Sequence, residues 1–362
     1  MYTILKKELK GYYTSLSTYV YYAMFFLILG AYFVKSCLGN YSTEFGYYAL
    51  SKAFAAVLLM APLFTMHLLA QEKKNRTEQL LFTAPVSTMG VLLGKFLATA
   101  IVLLVPFVLS AGYPIYIAQC GKMSVPFLLG AYLAVILVCM VLLSIGMLVS
   151  SLTSNMVLAV ILAYGVYLVV FLGKIIENFV PSERLYHVLH SLSVYNIYYA
   201  MVSGIVRSGD ILYLCSLAIF FLGVTWLAVE YKRLGFGRFM VRFAIGIVAC
   251  ACLTGISMNI TKVYDCTAEQ LLTFSKDTKD VVSDIVKDTD IYYLGERSRV
   301  NATYQELLAQ YAKLNDKVHI HYKNVQFDQE FRSKYLANVS SVSETSMVVV
   351  SDDKYVYLNA DD

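Results

Sequence analysis

Between residues 123 and 173 the chain runs 51 residues without a single Asp, Glu, Lys, Arg or His. About 20 helical residues cross the ~30 Å of a bilayer's hydrocarbon, so this stretch is too long for one crossing and long enough for two. The polar cluster Ser150-Ser151-Leu152-Thr153-Ser154-Asn155 divides it. In lipid a spanning segment must satisfy its own backbone hydrogen bonds, which makes each such run a helix. Residues 11–34, 53–71 (with His67 the one titratable group), 96–121, 211–229 and 243–261 are the other charge-free runs of this length. Seven spans are expected.

The composition excludes a cytosolic enzyme: 58% of the 362 residues are hydrophobic and 15% charged. The charges are divided unevenly. Residues 1–260 hold 17 Lys and Arg against 8 Asp and Glu, whereas residues 261–362 hold 12 against 17. A basic, apolar body therefore precedes a polar, acidic region, read as an α-helical polytopic membrane protein with a C-terminal water-soluble domain. Three parts are expected: 1–229 with six spans, 230–261 with a linker and the seventh, and 262–362. Seven cysteines follow no paired spacing, so neither a disulfide framework nor a zinc motif is implied.

Lys and Arg in short loops stay on the cytoplasmic side. With the N-terminus inside, the inner segments carry Lys6, Lys7, Lys10, then Lys73, Lys74, Arg76 and Lys95, then Lys232, Arg233, Arg238 and Arg242. An odd number of spans then puts 262–362 outside the cytoplasm. The first run is too long and too aromatic at its start for a cleaved signal peptide. Tyr12, Tyr13, Tyr47, Tyr48, Tyr113, Tyr116, Tyr198 and Tyr199 fall near span ends and are read as headgroup anchors. Tyr2, Leu5, Leu9 and Tyr12 recur at helical spacing opposite Lys6, Lys7 and Lys10, the pattern of a helix lying along the inner membrane surface.

Between the second and third spans lies Gln71-Glu72-Lys73-Lys74-Asn75-Arg76-Thr77-Glu78-Gln79-Leu80-Leu81-Phe82-Thr83-Ala84-Pro85-Val86-Ser87, then Gly94-Lys95. It starts charged, favours helix through its middle and stops at Pro85. This pattern resembles the cytoplasmic coupling segment of ABC-2 type permeases, and within them the gliding-motility type of exporter permease. Where that family usually carries Ser-Gly, this chain has Asn75-Arg76. Further similarity lies in Ser191-Leu192-Ser193-Val194-Tyr195, Gly204-Ile205-Val206, Asp210-Ile211-Leu212-Tyr213 and Glu230-Tyr231-Lys232-Arg233. Beyond Arg242 the chain resembles the start of the auxiliary protein that accompanies such permeases, with Tyr264-Asp265-Cys266-Thr267-Ala268-Glu269-Gln270-Leu271 and Phe274-Ser275-Lys276-Asp277-Thr278. The two are read as fused.

The resemblance implies the permease subunit of an ABC exporter in a bacterial cell membrane, without an ATPase of its own. A separate ATPase subunit would bind ATP and magnesium, and a second permease copy or homologue would complete the pathway. No cofactor is expected in this chain, and no nucleic-acid partner. The nearest approach to a phosphate-binding loop, Gly90-Val91-Leu92-Leu93-Gly94-Lys95-Phe96, is one residue short and lacks the hydroxyl, so Gly94-Lys95 is read as a span start. On the 72–84 helix, Glu72, Arg76 and Glu78 are the expected polar contacts to the ATPase, and Leu80 and Leu81 the apolar ones. Movement of that helix would tilt spans one, two and five. The bland alternative is a solvated charged face that obeys the positive-inside rule.

In the polar region Thr267 and Gln270 form a capping-box pair, and Ser275 precedes Val281, Val282 and Ile285 at helical spacing. Strands are expected at 291–294, 318–322, 347–351 and 355–358, and helices at 304–314 and 329–336. The βαβ order followed by a hairpin reads as a small α/β domain. In the resembling auxiliary family this domain is thioredoxin-like and the chain continues past a point equivalent to Asp362, so an incomplete domain is expected. The absence of Cys-x-x-Cys removes redox chemistry from the implication. His319 and His321 share a strand face, but a third metal ligand at a persuasive spacing is missing, and a polar face is the preferred reading.

Three other functions compete. A gradient-driven transporter places ionisable groups at mid-membrane, and here the spans offer essentially only His67. A membrane-anchored sensor or assembly protein would bind its partner through 262–362. An intramembrane hydrolase would need His-Glu-x-x-His or an acidic pair within a span, and neither occurs. The apolar spans suit a lipid-like or amphipathic cargo without naming one.

Overall fold

The structure is a computed structural model that describes residues 1–40, 42–75, 87–121, 123–177, 192–260, 262–266, 274, 276–285, 287–295, 302–315, 317–323, 329–336, 346–351 and 354–359. The chain falls into two compact units, one made of Met1–Ile176 and Val180–Ala268, the other of Glu269–Asp362 with Glu177–Phe179.

The first unit is helical. It contains α1 (Tyr2–Thr14), α2 (Leu16–Tyr32), α3 (Ser51–Thr65), α4 (Ala70–Lys74), α5 (Thr88–Leu109), α6 (Gly112–Cys120), α7 (Val125–Leu152), α8 (Met156–Glu177), α9 (Val194–Val202), α10 (Ser208–Leu234) and α11 (Phe236–Asn259). Wider, π-type turns at Phe33–Leu38 and Gly46–Leu50 extend α2 and introduce α3. Among the described residues six helices are long and apolar enough to cross a membrane: Leu16–Leu38, Gly46–Lys74, Thr88–Gln119, Val125–Leu152, Ser208–Tyr231 and Phe236–Asn259. The second half of the 51-residue run is α8, whose apolar part, Met156–Val170, is shorter. The expected break falls where the polar cluster stands, with Thr153, Ser154 and Asn155 between α7 and α8. Asn155 caps α8, its side chain accepting from Val157 N at 3.0 Å.

A helix apolar on all sides belongs inside a bundle, and α7 is that helix. It packs against α3, α5, α9 and α10. Close approach to α3 depends on Gly146, where a Cβ would lie 2.5 Å from Thr65 Oγ1. By contrast α11, docked on α10, keeps its apolar side chains outward, Val241, Ile245 and Val248 among them. Such a surface suits lipid. Two strands clip the ends of this helical pair together. β1 (Ile205–Arg207) leads into α10 and pairs antiparallel with β2 (Val263–Asp265), which follows α11. Cys266 N also donates to Gly204 O at 2.9 Å, so residues 262–266 belong to the helical unit, and the boundary expected at residue 262 falls inside it.

Several tyrosines read as headgroup anchors do different work. Tyr12 and Tyr198 are buried, and their hydroxyls donate to Phe64 O at 3.3 Å and Ser51 O at 3.4 Å. Another tyrosine, within α2, compensates for a proline. Pro106 inside α5 lacks the N–H that would bond Val102 O, four residues back. Tyr22 of α2 donates its hydroxyl to Val102 O at 3.2 Å, and its neighbour Tyr21 donates to Leu103 O at 2.8 Å. Without water in the hydrocarbon, Val102 O would otherwise stand unsatisfied.

The second unit is an α/β sheet domain. Its elements are α12 (Lys276–Ser283), β3 (Thr289–Tyr293), α13 (Ala302–Leu314), β4 (Val318–Tyr322), α14 (Gln329–Tyr335), β5 (Met347–Ser351) and β6 (Lys354–Leu358). The four strands are ordered β4-β3-β5-β6, with β3 parallel to β4 and the other pairs antiparallel. A parallel neighbour requires a crossover, which α13 supplies. Period-2 alternation gives the sheet two apolar faces. Tyr293, Ile291, Ile320 and Met347 gather around Leu308 of α13, while Val348, Val350 and Leu294 gather around Phe331 and Leu336 at α14. The expected strands and hairpin are present to within two residues at their ends. Val282 is buried as expected, Val281 is exposed, and the Thr267–Gln270 pair lies outside the described residues.

Tyr22→Phe is expected to lower stability by about 1 kcal/mol, because Val102 O loses its donor. In a Pro106→Ala background, where the backbone N–H regained at position 106 can bond Val102 O, the same change should cost measurably less. Thermal unfolding of the four detergent-solubilised proteins of this double-mutant cycle measures the coupling.

Candidate coupling site

Helix α3 contains Pro62 and ends at Thr65, after which the chain turns through residues 66–69 and restarts as α4. The break falls inside what the hydropathy reads as one span. Restarting a helix exposes unpaired N–H groups, and here they are buried. Ser150, in the last turn of α7, solves this by accepting from Leu69 N at 3.2 Å and Ala70 N at 3.0 Å. One residue on, Ser151 O accepts from Lys73 Nζ. A cation there also meets the carbonyl-rich end of α7, where the helix dipole favours positive charge.

The third tie is ionic. Lys95, in the second turn of α5, is only 2% exposed. Its Nζ lies 2.8 Å from Glu72 Oε1 of α4 and 2.9 Å from Glu8 Oε1 of α1. A buried ammonium without a carboxylate would cost several kcal/mol, so two acids around one lysine are the compensation its burial demands. Around this centre α1 lies on α5. Ile4 Cγ2 and Met1 O come so near Gly94 that a Cβ there would meet them at 3.3 Å. Tyr12 bonds Thr99 Oγ1 at 2.9 Å and packs edge-on against Phe64 at 5.6 Å. The inward stripe of α1 is therefore Ile4, Glu8 and Tyr12, with Leu5 and Leu9 half-buried beside it, whereas Tyr2, expected in the apolar stripe, is exposed.

Of the five expected coupling residues, the structure describes Glu72 alone. It points into the Lys95 centre rather than out to solvent, with 18% of its side chain exposed. Arg76, Glu78, Leu80 and Leu81 lie outside the described residues. In the sequence Lys95 stands out only as an inside cation at a span start and Ser150-Ser151 only as a divider between spans, and nothing joins them or Glu8 to Glu72. Faint signals existed: Glu8 is the sole acid in the first 43 residues, and Lys95 the sole charge between Glu78 and Lys122. The contacts of this site reach the third and fourth spans, α5 and α7.

Elsewhere among the described residues of the helical unit the buried polar groups are mostly hydroxyls, with the Asp210 carboxylate at the start of α10 the charged exception. Ser144, Thr65 and Thr225 donate to carbonyls of their own helices, three or four residues back. His67 is exposed and its Nδ1 lies 3.0 Å from Gln71 Oε1. In the sheet domain His321 Nε2 lies 3.0 Å from Asp290 Oδ1, and its ring stacks on Tyr292 at 5.0 Å. No group of three or more His, Cys, Asp or Glu that could hold a metal gathers among the described residues.

Compared with known families, residues 33–230, more than half of the chain, match the family described as ABC-2 family transporter protein. No curated protein and no solved structure matches the chain.

Ser150→Ala should leave the buried N–H groups of Leu69 and Ala70 without an acceptor, at a cost of about 1–3 kcal/mol. Hydrogen exchange at residues 69–75 is expected to accelerate, with the core of α7 unchanged.

Proposed function

Because the chain belongs to the ABC-2 family of transporter proteins, a multi-pass membrane family, we propose that it is the permease subunit of an ABC exporter, driven by a separate ATPase subunit. The observation that carries this reading is the build of the 70–75 region. A short charged helix leaves the second span and is fixed at its root to three other helices by Ser150, Ser151 and the Lys95 centre. A lever must be anchored where it meets the load, and this one is.

On this reading Arg76, Glu78, Leu80 and Leu81 contact the ATPase, and Glu72 belongs to the anchor. The cytoplasm holds the N-terminus and 70–87, following the bias of Lys and Arg. Seven spans, α8 included, then carry residues 269–362 outside. The strand order of that domain, one parallel pair followed by an antiparallel hairpin, agrees with the thioredoxin-like auxiliary protein, and fusion to it with the gliding-motility type of permease. A second copy completes the pathway. The helical core, lacking ionisable groups at mid-span among its described residues, gives a gradient-driven transporter little to work with.

The test uses the full chain purified from its native membrane in mild detergent. ATP hydrolysis is expected to co-purify with it, and Arg76→Glu with Glu78→Lys should reduce that associated activity about tenfold, the equivalent of 1.4 kcal/mol of docking. Retention of full activity by the double variant would count against the docking role. A chain that brings down no ATPase, yet holds a stable complex through 269–362, would favour the sensor or assembly reading.

A further inference from the structure

We infer that Lys95 is the positioning residue through which movement of the coupling segment reaches the third span and the N-terminal helix together, an inference that rests on the permease reading above. Three elements that are remote in sequence meet at one ammonium group. Glu8 brings α1, Glu72 brings α4, and Lys95 itself belongs to α5. At 2% exposure the lysine is almost wholly shut off from solvent. Neither carboxylate can be drawn away without leaving that charge buried and less paired, so displacement of α4 is resisted until α5 and α1 move with it.

The surrounding contacts make this centre a joint rather than a local staple. Immediately before Lys95, Gly94 lets Ile4 and the Met1 carbonyl lie against α5. One turn after it, Thr99 bonds Tyr12 and returns a bond to Lys95 O at 3.1 Å. The α1 helix is thus held to α5 on both sides of the ion centre, and the centre adds the link to α4. Glu72 accordingly acts from within the permease and not as a contact to the ATPase. That reassigns one of the residues expected to touch the motor. The charge type also matters: only a cation at position 95 holds two carboxylates at once, and a methionine of similar length would fill the space while severing both limbs.

The experiment compares full-length protein bound to its co-purifying ATPase, without nucleotide and with ATP and vanadate, by hydrogen–deuterium exchange. In the wild type, trapping should change exchange in residues 70–75, 88–99 and 2–14 together. Lys95→Met should keep the ATPase bound, keep the response in 70–75, and lose it in 88–99 and 2–14. Glu8→Gln, a milder change in case Lys95→Met fails to fold, should lose the response in 2–14 alone. A purely structural role would raise exchange in the nucleotide-free state and leave these differences on trapping in place, and that result overturns the inference. So does a wild-type response confined to 70–75. Should the wild type capture no ATPase, the permease reading falls and the transmitting role with it. Even then, faster exchange of 2–14 in isolated Lys95→Met, by about tenfold for each 1.4 kcal/mol lost, would still establish the tie itself.

Discussion

A backbone in hydrocarbon has to satisfy every N–H and C=O it carries, and the helical unit is organised around the places where a simple helix cannot do so. Pro106 removes a donor from α5, and Tyr22 of α2 supplies another. The chain breaks after α3, and Ser150 of α7 accepts the two N–H groups that the break exposes. Each repair comes from a neighbouring helix. The irregular backbone that allows a bend therefore also creates the cross-links that hold the bundle, and hydrogen bonding supplies a specificity that apolar packing against lipid-like surroundings cannot.

Charge follows the same logic. Within the spans most of the described buried polar side chains are hydroxyls turned on their own helices or on nearby carbonyls, and the buried charges Lys95 and Asp210 stand near span ends, so the middle of the bundle carries little that could bind an ion. A buried ion centre lies at the end of the bundle that receives α4. There one lysine meets two glutamates and a second lysine meets the end of α7. Among the described residues the strong ionic contacts of the bundle are thus confined to the helix ends, and weak ones line the rest of it, where dispersion contacts between apolar helices can slide while a buried ion centre cannot.

How much of this was legible in the sequence depended on the kind of signal. Charge-free length located the helices, since the cost of a buried charge is large and local. The sheet domain was equally legible, because strand alternation and the Asp352-Asp353 pair between two such runs are short-range patterns. The break at residues 66–69 was not. Leu68, Leu69 and Ala70 are apolar and buried whether or not the helix continues, so hydropathy passes over the turn. The Lys95 centre was illegible for another reason: its partners are 87 and 23 positions away, and pairing at that separation leaves no mark on local composition. Tyr12 misled because an amphipathic ring satisfies two descriptions, and only its neighbours Thr99 and Phe64 decide between headgroup and protein.

The clip formed by β1 and β2 fixes how the chain leaves the last helix of the helical unit. The chain leaving α11 is paired for three residues with the segment that starts α10. At the same end, Gly209 approaches Ser257 O so closely that a Cβ would lie 2.3 Å away. Helix α11 is thus fastened to α10 at that end by backbone ladder and close packing alike. Whatever tilts α10 therefore carries residues 262–266 with it, because three ladder positions hold them to the strand that leads into it and a buried glycine contact holds α11 to its first turn.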